Sequence, residues 1–312
     1  MASFGDLNRV NTNIQSLDSQ LSLNRINRDL ASNQLRLSTG LRINRAEDDA
    51  AGYSIATKLN SRVAGLDQAM QNVGDAKSVL DIAESSFDTV MDNLIEMKAL
   101  STQAANDTLG EDERGYIGDQ IAKLAEDIND IASQTVFQDT DLLNGNPANT
   151  GANEFSGTLT LNFQVGERAE DTLEASIDAV NINSIFDVSG VTSGNISLST
   201  AGGQQGALEF TNGATKAGAA DYRQFISAVD GAIKLMNDRV NEIGMTQSSL
   251  SIREVTLSQS ISSNSAAASR IMDADFAKEQ SESIRLQILQ QTATSALAQA
   301  NMGPQSVLGF LG

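Results

Sequence analysis

The chain lacks residue types on which much of enzyme chemistry depends. Its 312 residues include no Cys, no His and no Trp. Without Cys and His there are no ordinary nucleophile–base pairs and no thiolate or imidazole ligands for zinc. Carboxylate, Lys and Tyr chemistry stays formally open, but no phosphate-binding Gly loop occurs in a strand-to-helix context. We therefore expect no enzyme, and we predict no catalytic residue, no cofactor-binding residue and no metal ligand.

Aromatic residues and positive charge are also scarce. Ten Phe and three Tyr are present, so we expect a thin, aliphatic core of the kind found in helical bundles. The net charge of −19 disfavours nucleic acid, whose phosphates repel an acidic protein. Residues 1–45 carry +3 and residues 273–312 carry −2, which leaves −20 for residues 46–272. The two ends can therefore pack together at little Coulomb cost.

Long apolar runs are missing as well. No segment approaches the ~20 continuous apolar residues that span a bilayer, so we expect no membrane insertion. Met1–Val10 has neither a basic start nor an apolar stretch, as a cleaved signal peptide would. The protein is therefore expected to be cytoplasmic or to be secreted without a cleaved signal peptide.

Both ends of the chain carry the apolar spacing of helices that pack against a partner. Near the N-terminus two sets of apolar residues, displaced by two positions, step by three and four, so the helix has two apolar faces that must both be covered. The C-terminal seam contains small Ala residues, and Gly303-Pro304 predicts the end of its helix. The first set is Leu7, Val10, Ile14, Leu17 and Leu21; the second is Leu23, Ile26, Leu30, Leu37 and Leu41; the C-terminal seam is Leu286, Leu289, Ala293, Ala296 and Ala300.

Three further helices are predicted inward from the ends. Residues 73–104 hold the most regular heptad, a rod of roughly 48 Å. The same spacing resumes from Ile117 to Ile131, in what should be an antiparallel return helix, and again from Ile226 to Leu257. The heptad residues are Val73, Ala76, Leu80, Ala83, Phe87, Val90, Leu94, Met97, Ser101 and Ala104.

Residues 144–220 differ in kind from the rest. They hold 11 of the 24 Gly and alternate with period two, as at Leu159, Leu161 and Phe163, which predicts β-hairpins and loops. The fold class is therefore mainly α: an elongated helical bundle and coiled coil of the N- and C-terminal segments with an inserted β-hairpin and loop region.

We expect three domains from these patterns. Residues 1–45 and 273–312 should form a terminal coiled coil, and residues 46–143 and 221–272 a helical bundle. Residues 144–220 should form β-hairpins and a small, variable, surface-exposed insertion.

The densest charged cluster follows the first helix. It contains Arg42, Arg45, Glu47, Asp48 and Asp49. Paired carboxylates can hold a divalent cation, but adjacent helical residues point about 100° apart and no third ligand has EF-hand spacing. We prefer a structural interpretation, in which Arg and Asp pair to fix a bend between two helices.

Two long motifs resemble the terminal signatures of bacterial flagellins. Residues 37–44 (Leu-Ser-Thr-Gly-Leu-Arg-Ile-Asn) continue through residues 46–52 (Ala-Glu-Asp-Asp-Ala-Ala-Gly), and residues 287–291 (Gln-Ile-Leu-Gln-Gln) precede residues 298–301 (Ala-Gln-Ala-Asn). The resemblance covers about residues 1–143 and 221–312. It assigns a domain-junction motif to Arg42, Asn44, Arg45, Asp48, Asp49 and Gly52.

The resemblance implies a structural subunit that polymerises into the flagellar filament for motility. The terminal seams would form the filament core, chiefly through Leu7, Val10, Ile14, Leu17, Leu21, Leu30, Leu37 and the C-terminal seam. Expected partners are identical subunits, a flagellar export chaperone on the C-terminal helix, and hook-associated and cap proteins. The expected location is the extracellular filament, reached by type III export.

Two alternatives from other protein classes stay open. A hook–filament junction protein shares flagellin-like ends, but that family tends to carry Pro soon after the paired Asp, where this chain has Ala50-Ala51-Gly52. A coiled-coil surface adhesin or fibre would sustain one apolar seam along the chain. The interruption at residues 144–220 argues against such a fibre.

The resemblance also covers a region that Toll-like receptors recognise in many flagellins. It corresponds to residues 92–106, where a family Arg contact falls at Glu96 and a family Glu falls at Gln120, while Leu100 is retained. Charge reversal in a recognition hot spot can cost about 2 kcal/mol or more. We therefore expect weak or absent receptor stimulation.

Overall fold

The computed structural model describes residues 12–145, 157–187, 192–193, 196–199, 207–212 and 215–311. Within these ranges no helix is both long and apolar enough to cross a membrane. Leu7 and Val10, from the predicted N-terminal seam, lie outside the described residues.

In chain order, long helices precede and follow a region of short strands. The order is α1 (Ile14–Thr39), α2 (Ala50–Ala104), α3 (Glu111–Gln134), β1 (Val136–Phe137), β2 (Thr140–Asp141), β3 (Thr158–Gln164), β4 (Thr172–Asp178), α4 (Ile182–Asp187), β5 (Thr192–Ser193), β6 (Ile196–Ser199), β7 (Ala207–Glu209), β8 (Thr211–Asn212), β9 (Thr215–Lys216), α5 (Ala219–Met272) and α6 (Phe276–Leu311). The predicted class, mainly α with an inserted strand region, is confirmed.

The chain forms two compact units. The terminal unit contains residues 1–64 and 261–312, and the central unit contains residues 65–260. Both boundaries lie inside continuous helices, α2 and α5, where no loop signal marks them in the sequence. The predicted division into three domains stays a prediction.

In the terminal unit α1 and α6 pack antiparallel. The Nε2 atom of Gln290 donates to Oδ1 of Asn27 at 2.8 Å, and further along α1 the Nδ2 atom of Asn33 donates to Oε2 of Glu279 at 2.7 Å. Advancing along α1 thus means moving back along α6. From the second apolar set, Leu23, Ile26 and Leu30 are half-buried along α1.

The predicted end of the last helix at Gly303-Pro304 is wrong, because α6 continues to Leu311. A Pro inside a helix has no N–H for the carbonyl four residues earlier, which here belongs to Ala300. That carbonyl instead accepts a hydrogen bond from Nδ2 of Asn13 at 2.8 Å. A partner 287 residues away replaces the missing helical donor.

The central unit has the predicted heptad of α2 at its centre. All ten heptad residues from Val73 to Ala104 are completely buried. The buried Ser101 hydroxyl donates to the Met97 carbonyl at 2.6 Å, so its burial leaves no unsatisfied hydrogen-bond donor. α5 runs antiparallel to α2, as shown by ion pairs between Lys77 and Glu254 at 3.0 Å and between Lys98 and Asp230 at 2.5 Å. The predicted helices from Ile117 and Ile226 are confirmed as α3 and α5.

The expectation of an aliphatic core is wrong where the strands meet α5. Phe186 stacks on Phe225 at 5.7 Å between ring centres, and Phe210 stacks on Tyr222 at 5.6 Å. An edge-to-face contact at 5.5 Å joins Phe210 to Phe225. A third of the scarce aromatic residues is therefore concentrated in one cluster, which composition alone does not reveal.

A predicted β-hairpin is confirmed, and the structure gives its register. β3 pairs antiparallel with β4, with Leu159 opposite Ile177 and Leu161 opposite Ala175. Leu159, Ala175 and Ile177 are buried, as period-two alternation requires. Close to this hairpin the buried guanidinium of Arg239 donates to the Ala179 carbonyl at 2.5 Å and joins the adjoining loop to α5.

Candidate functional site

The first apolar set of α1 faces solvent in the single chain. The exposed fraction is 39% for Ile14, 60% for Leu17 and 52% for Leu21. All three side chains lie within about 60° of one another around the helix. Among the described residues α1 thus has two apolar faces: the one with Leu23, Ile26 and Leu30 is half-buried, and the one with Ile14, Leu17 and Leu21 is exposed.

The C-terminal seam divides in the same way. Leu286 and Ala300 are buried and Ala293 is half-buried, whereas Leu289 and Ala296 are exposed. Leu30 and Leu37 of α1 are half-buried. The structure therefore brings one part of the predicted filament-core set together within the chain and leaves the rest exposed. A role for the exposed members in the filament stays a prediction.

A second exposed stripe on α6 was missed by the sequence prediction. Ile284, Ile288 and Met302 are 51%, 58% and 66% exposed, and their spacing places them within about 40° of one another. The Ile284 and Ile288 spacing of four residues was a signal that could have revealed it. We call this set the α6 stripe, and Ile14, Leu17 and Leu21 the α1 stripe.

The junction motif begins where α1 ends. Gly40 takes a left-handed conformation with φ 71°, and its N–H donates to the Arg36 carbonyl, a common way to end a helix. The chain then contacts the end of α5: the Arg42 N–H donates to the Met272 carbonyl at 2.6 Å, and the Arg42 guanidinium donates to the Ile271 carbonyl at 2.9 Å. Arg42 therefore supplies donors to two of the carbonyls that end α5.

Asp48 shapes the loop between α1 and α2. Its Oδ2 atom accepts hydrogen bonds from the N–H groups of Asn44 and Arg45, each at 3.0 Å. These backbone donors, Arg45 first, hold the pKa of Asp48 below its ordinary value, with a smaller contribution from the positive charge of Arg36. The Asn44 side chain donates to the Leu41 carbonyl at 2.9 Å. One carboxylate thus holds two successive backbone N–H groups of the loop, those of Asn44 and Arg45.

Asp49 caps the start of α2. Its Oδ1 atom accepts from the N–H groups of Ala51 at 3.1 Å and Gly52 at 2.9 Å, which a helix start leaves without intrahelical acceptors. A Cβ at Gly52 would lie 2.6 Å from Oδ2 of Asp49 and 2.8 Å from Cδ1 of Ile43. An Ala at position 52 would therefore force the Asp49 carboxylate or the Ile43 side chain to shift.

The predicted pairing of Arg42 and Arg45 with the paired Asp residues is wrong. Arg42 contacts backbone carbonyls, and Arg45 pairs with Glu47 at 3.0 Å. The carboxylates serve backbone N–H groups instead, because the loop and helix start expose donors that the sequence does not show. Within the described ranges, no group of three or more acidic side chains is placed to hold a metal ion.

A polar cluster around the buried Asn33 joins α1 to α6 beside the motif. Asn33 is 4% exposed and donates to both the carbonyl and the carboxylate of Glu279. The Arg36 guanidinium lies 3.9 Å from both Glu279 and Asp48. The sequence prediction missed this cluster. A polar residue at an otherwise apolar seam position was the available signal, since such residues specify the register of paired helices.

The residues that correspond to the receptor contact lie together in the central unit. Glu96 and Leu100 of α2 and Gln120 of α3 line one shallow cavity of about 420 Å³. Glu96 and Gln120 are exposed, and Leu100 is half-buried. Lys123 also lines the cavity, so its rim carries charges of both signs.

Comparisons with known proteins agree with this architecture. The family described as bacterial flagellin N-terminal helical region matches residues 10–148, and the bacterial flagellin C-terminal helical region matches residues 226–311. The flagellar filament 33 kDa core protein of Treponema phagedenis is 32% identical over 97% of this chain and 99% of that protein.

Two further relatives cover most of the chain. A flagellin of Halalkalibacterium halodurans is 32% identical over 88% of this chain and 89% of its own length. The flagellin of Bacillus subtilis is 31% identical over 97% and 99%. These matches do not favour the junction-protein, fibre or enzyme alternatives. The chain therefore belongs to the bacterial flagellin family, whose members are the structural subunits of the flagellar filament.

Proposed function

We propose that the terminal unit assembles the filament by burying the α1 stripe and the α6 stripe against other copies of the chain. The observation that carries this proposal is the exposure of six large apolar side chains, three on each helix of one antiparallel pair. Large apolar side chains that repeat along one exposed face of a helix indicate a face that a partner covers. An identical partner that binds through a contact that does not close generates an open helical polymer.

The distribution of charge supports the same arrangement. The terminal segments are nearly neutral, whereas residues 46–272 carry −20. Neutral apolar helices can meet in the interior of a polymer without a large Coulomb penalty, while acidic bodies keep the outer layers solvated. The finer expectations of the family extend this proposal: type III export without a cleaved signal peptide, a chaperone on the C-terminal helix, and hook-associated and cap proteins at the filament ends.

Electron microscopy of the purified protein tests the proposal. The full chain is dissociated by heat and regrown on filament fragments, beside a variant without residues 273–312. We expect filaments from the full chain and none from the truncated variant. Circular dichroism of the truncated variant is the control, since the central unit should retain its helices. Filaments from the truncated chain would overturn the proposal, and so would persistent monomers from the full chain.

We also propose that this flagellin stimulates Toll-like receptors weakly. Its cavity at Glu96, Leu100 and Gln120 has an acidic group where the family has Arg, and a neutral amide where the family has Glu. Restoring Glu96→Arg with Gln120→Glu should raise reporter-cell stimulation by roughly 30-fold if one hot-spot contact of about 2 kcal/mol returns. Leu100→Ala, which removes the retained contact, is the matched control. Strong stimulation by the unaltered monomer would contradict the proposal.

A further inference from the structure

The carbonyl of Ala300 has no helical donor. In an α-helix it would accept from the N–H of residue 304, but residue 304 is Pro and has none. Ala300 is 5% exposed, so its carbonyl has little access to solvent. A buried carbonyl without a partner is costly, and this cost is one reason why Pro normally ends or kinks a helix.

Asn13 satisfies that carbonyl from the other end of the chain. Its Nδ2 atom donates to the Ala300 carbonyl at 2.8 Å, while its Oδ1 atom accepts from the Ser16 N–H at 3.0 Å and caps α1. A neighbouring bond links the Ser16 hydroxyl to Oδ1 of Asn301 at 2.7 Å. The Asn13 side-chain amide thus accepts a hydrogen bond from α1 with its oxygen and donates one to α6 with its nitrogen.

We infer that Asn13 is the positioning residue that sets the register of α1 on α6 at Pro304. The Asn13 amide donates best to the Ala300 carbonyl, because the adjacent carbonyls of α6 already accept hydrogen bonds from N–H groups of the helix. A shift of one residue in either direction would leave the Ala300 carbonyl unsatisfied. Pro304 therefore fixes which carbonyl of α6 accepts from Asn13, and the Asn13 hydrogen bond allows α6 to continue past Pro304 to Leu311. This inference rests on the proposed function, since the pair is tested in the filament.

A double-mutant cycle separates the donor of Asn13 from its role as a cap. Asn13→Ser keeps a good helix cap but is too short to reach Ala300. Pro304→Ala restores the helical N–H, so that the Ala300 carbonyl no longer needs an outside donor. The critical concentration for growth on filament fragments is measured for the unaltered chain, both single variants and the double variant. Hydrogen exchange of the amides at residues 305–308 in the filament is the second measurement.

With Pro304 present, Asn13→Ser is expected to raise the critical concentration by about two- to tenfold, as the loss of one net hydrogen bond does, because an α1–α6 pair that is loosened in the free chain must be re-formed before it is buried in the filament. The same variant should also show faster hydrogen exchange at residues 305–308 than the unaltered chain. In the Pro304→Ala background, Asn13→Ser should change the critical concentration by less than about twofold and should not change the exchange rate at residues 305–308. Equal penalties in both backgrounds would overturn the inference and leave Asn13 as a cap only. Failure of the unaltered chain to form filaments would instead refute the proposed function, so the two failures are distinguishable.

Discussion

Removing the α1 stripe should weaken filament growth without weakening the free chain. The variant is Leu17→Ala with Leu21→Ala, which shortens two side chains that are 60% and 52% exposed in the single chain. Ala is the strongest helix former, so the substitutions do not reduce the intrinsic stability of α1. The loss should therefore appear only where those side chains become buried, at the contact between subunits.

The expected magnitude follows from the exposed fractions. Complete burial of a Leu side chain is worth roughly 1.5–3 kcal/mol, and about half of each Leu remains to be buried on assembly. The two together should contribute about 2 kcal/mol per subunit contact. Since each 1.4 kcal/mol corresponds to a factor of about ten, the critical concentration should rise roughly 30-fold.

Seeded growth followed by sedimentation measures the critical concentration, and thermal unfolding of the monomer measures the stability of the free chain. Gln20→Ala is the matched control, because Gln20 is exposed on the same helix but lies outside the stripe. An unchanged critical concentration for the Leu variant would refute the assignment of this face. A lowered monomer stability would show that the face packs within the chain instead.

Three further perturbations test the packing of each unit. Gly52→Ala should destabilise the terminal unit by about 1–3 kcal/mol through overpacking. Gly74→Ala places its added carbon where nothing lies within 4 Å, so it should stabilise α2 by roughly 0.5–1 kcal/mol. Urea unfolding measures both changes in stability. Burial raises the pKa of Tyr222 from 10.0 to about 12. The folded chain therefore holds the phenol proton more tightly than the unfolded chain, and the stability that this contributes is complete below pH 10 and is lost as the pH rises to about 12. Thermal unfolding measured against pH, for the unaltered chain and for Tyr222→Phe, tests this loss. Ala300→Leu should weaken the pairing of α1 with α6 by about 1–3 kcal/mol, while Ala296→Leu should leave the stability of the free chain unchanged; thermal unfolding of both variants decides.

Each of these predictions has an outcome that would contradict it. Equal effects of Ala at positions 52 and 74 would mean that the close approach of Asp49 to Gly52 is not restrictive. An alkaline decline that persists in Tyr222→Phe would assign it to another group. A destabilised free chain in Ala296→Leu would place that residue on the seam within the chain, as the sequence pattern first suggested.

Apolar spacing predicted the parts of the fold that local burial controls. The heptad from Val73 to Ala104 is buried at every position, because a helix with one apolar face has a single way to remove it from water. The alternation at Leu159 and Leu161 identified a β-hairpin for the same reason. Neither prediction needed knowledge of distant residues.

The failures all involve partners that the sequence cannot place. The end of α6 was predicted at Gly303-Pro304 because its missing hydrogen bond comes from Asn13, far away along the chain. The junction carboxylates were assigned to Arg42 and Arg45, but Asp48 and Asp49 bind backbone N–H groups that become available only once the loop folds, and the guanidinium beside Asp48 is that of Arg36. The spacing of the stripes indicated apolar faces but not which face stays exposed.

A side-chain-resolution reconstruction of the filament by electron cryomicroscopy tests the central claim most directly. We expect Leu17, Leu21 and Ile288 to be buried between neighbouring subunits, while α1 and α6 of each subunit keep their antiparallel register. Filaments in which these side chains face solvent, with subunits joined through other surfaces, would contradict it.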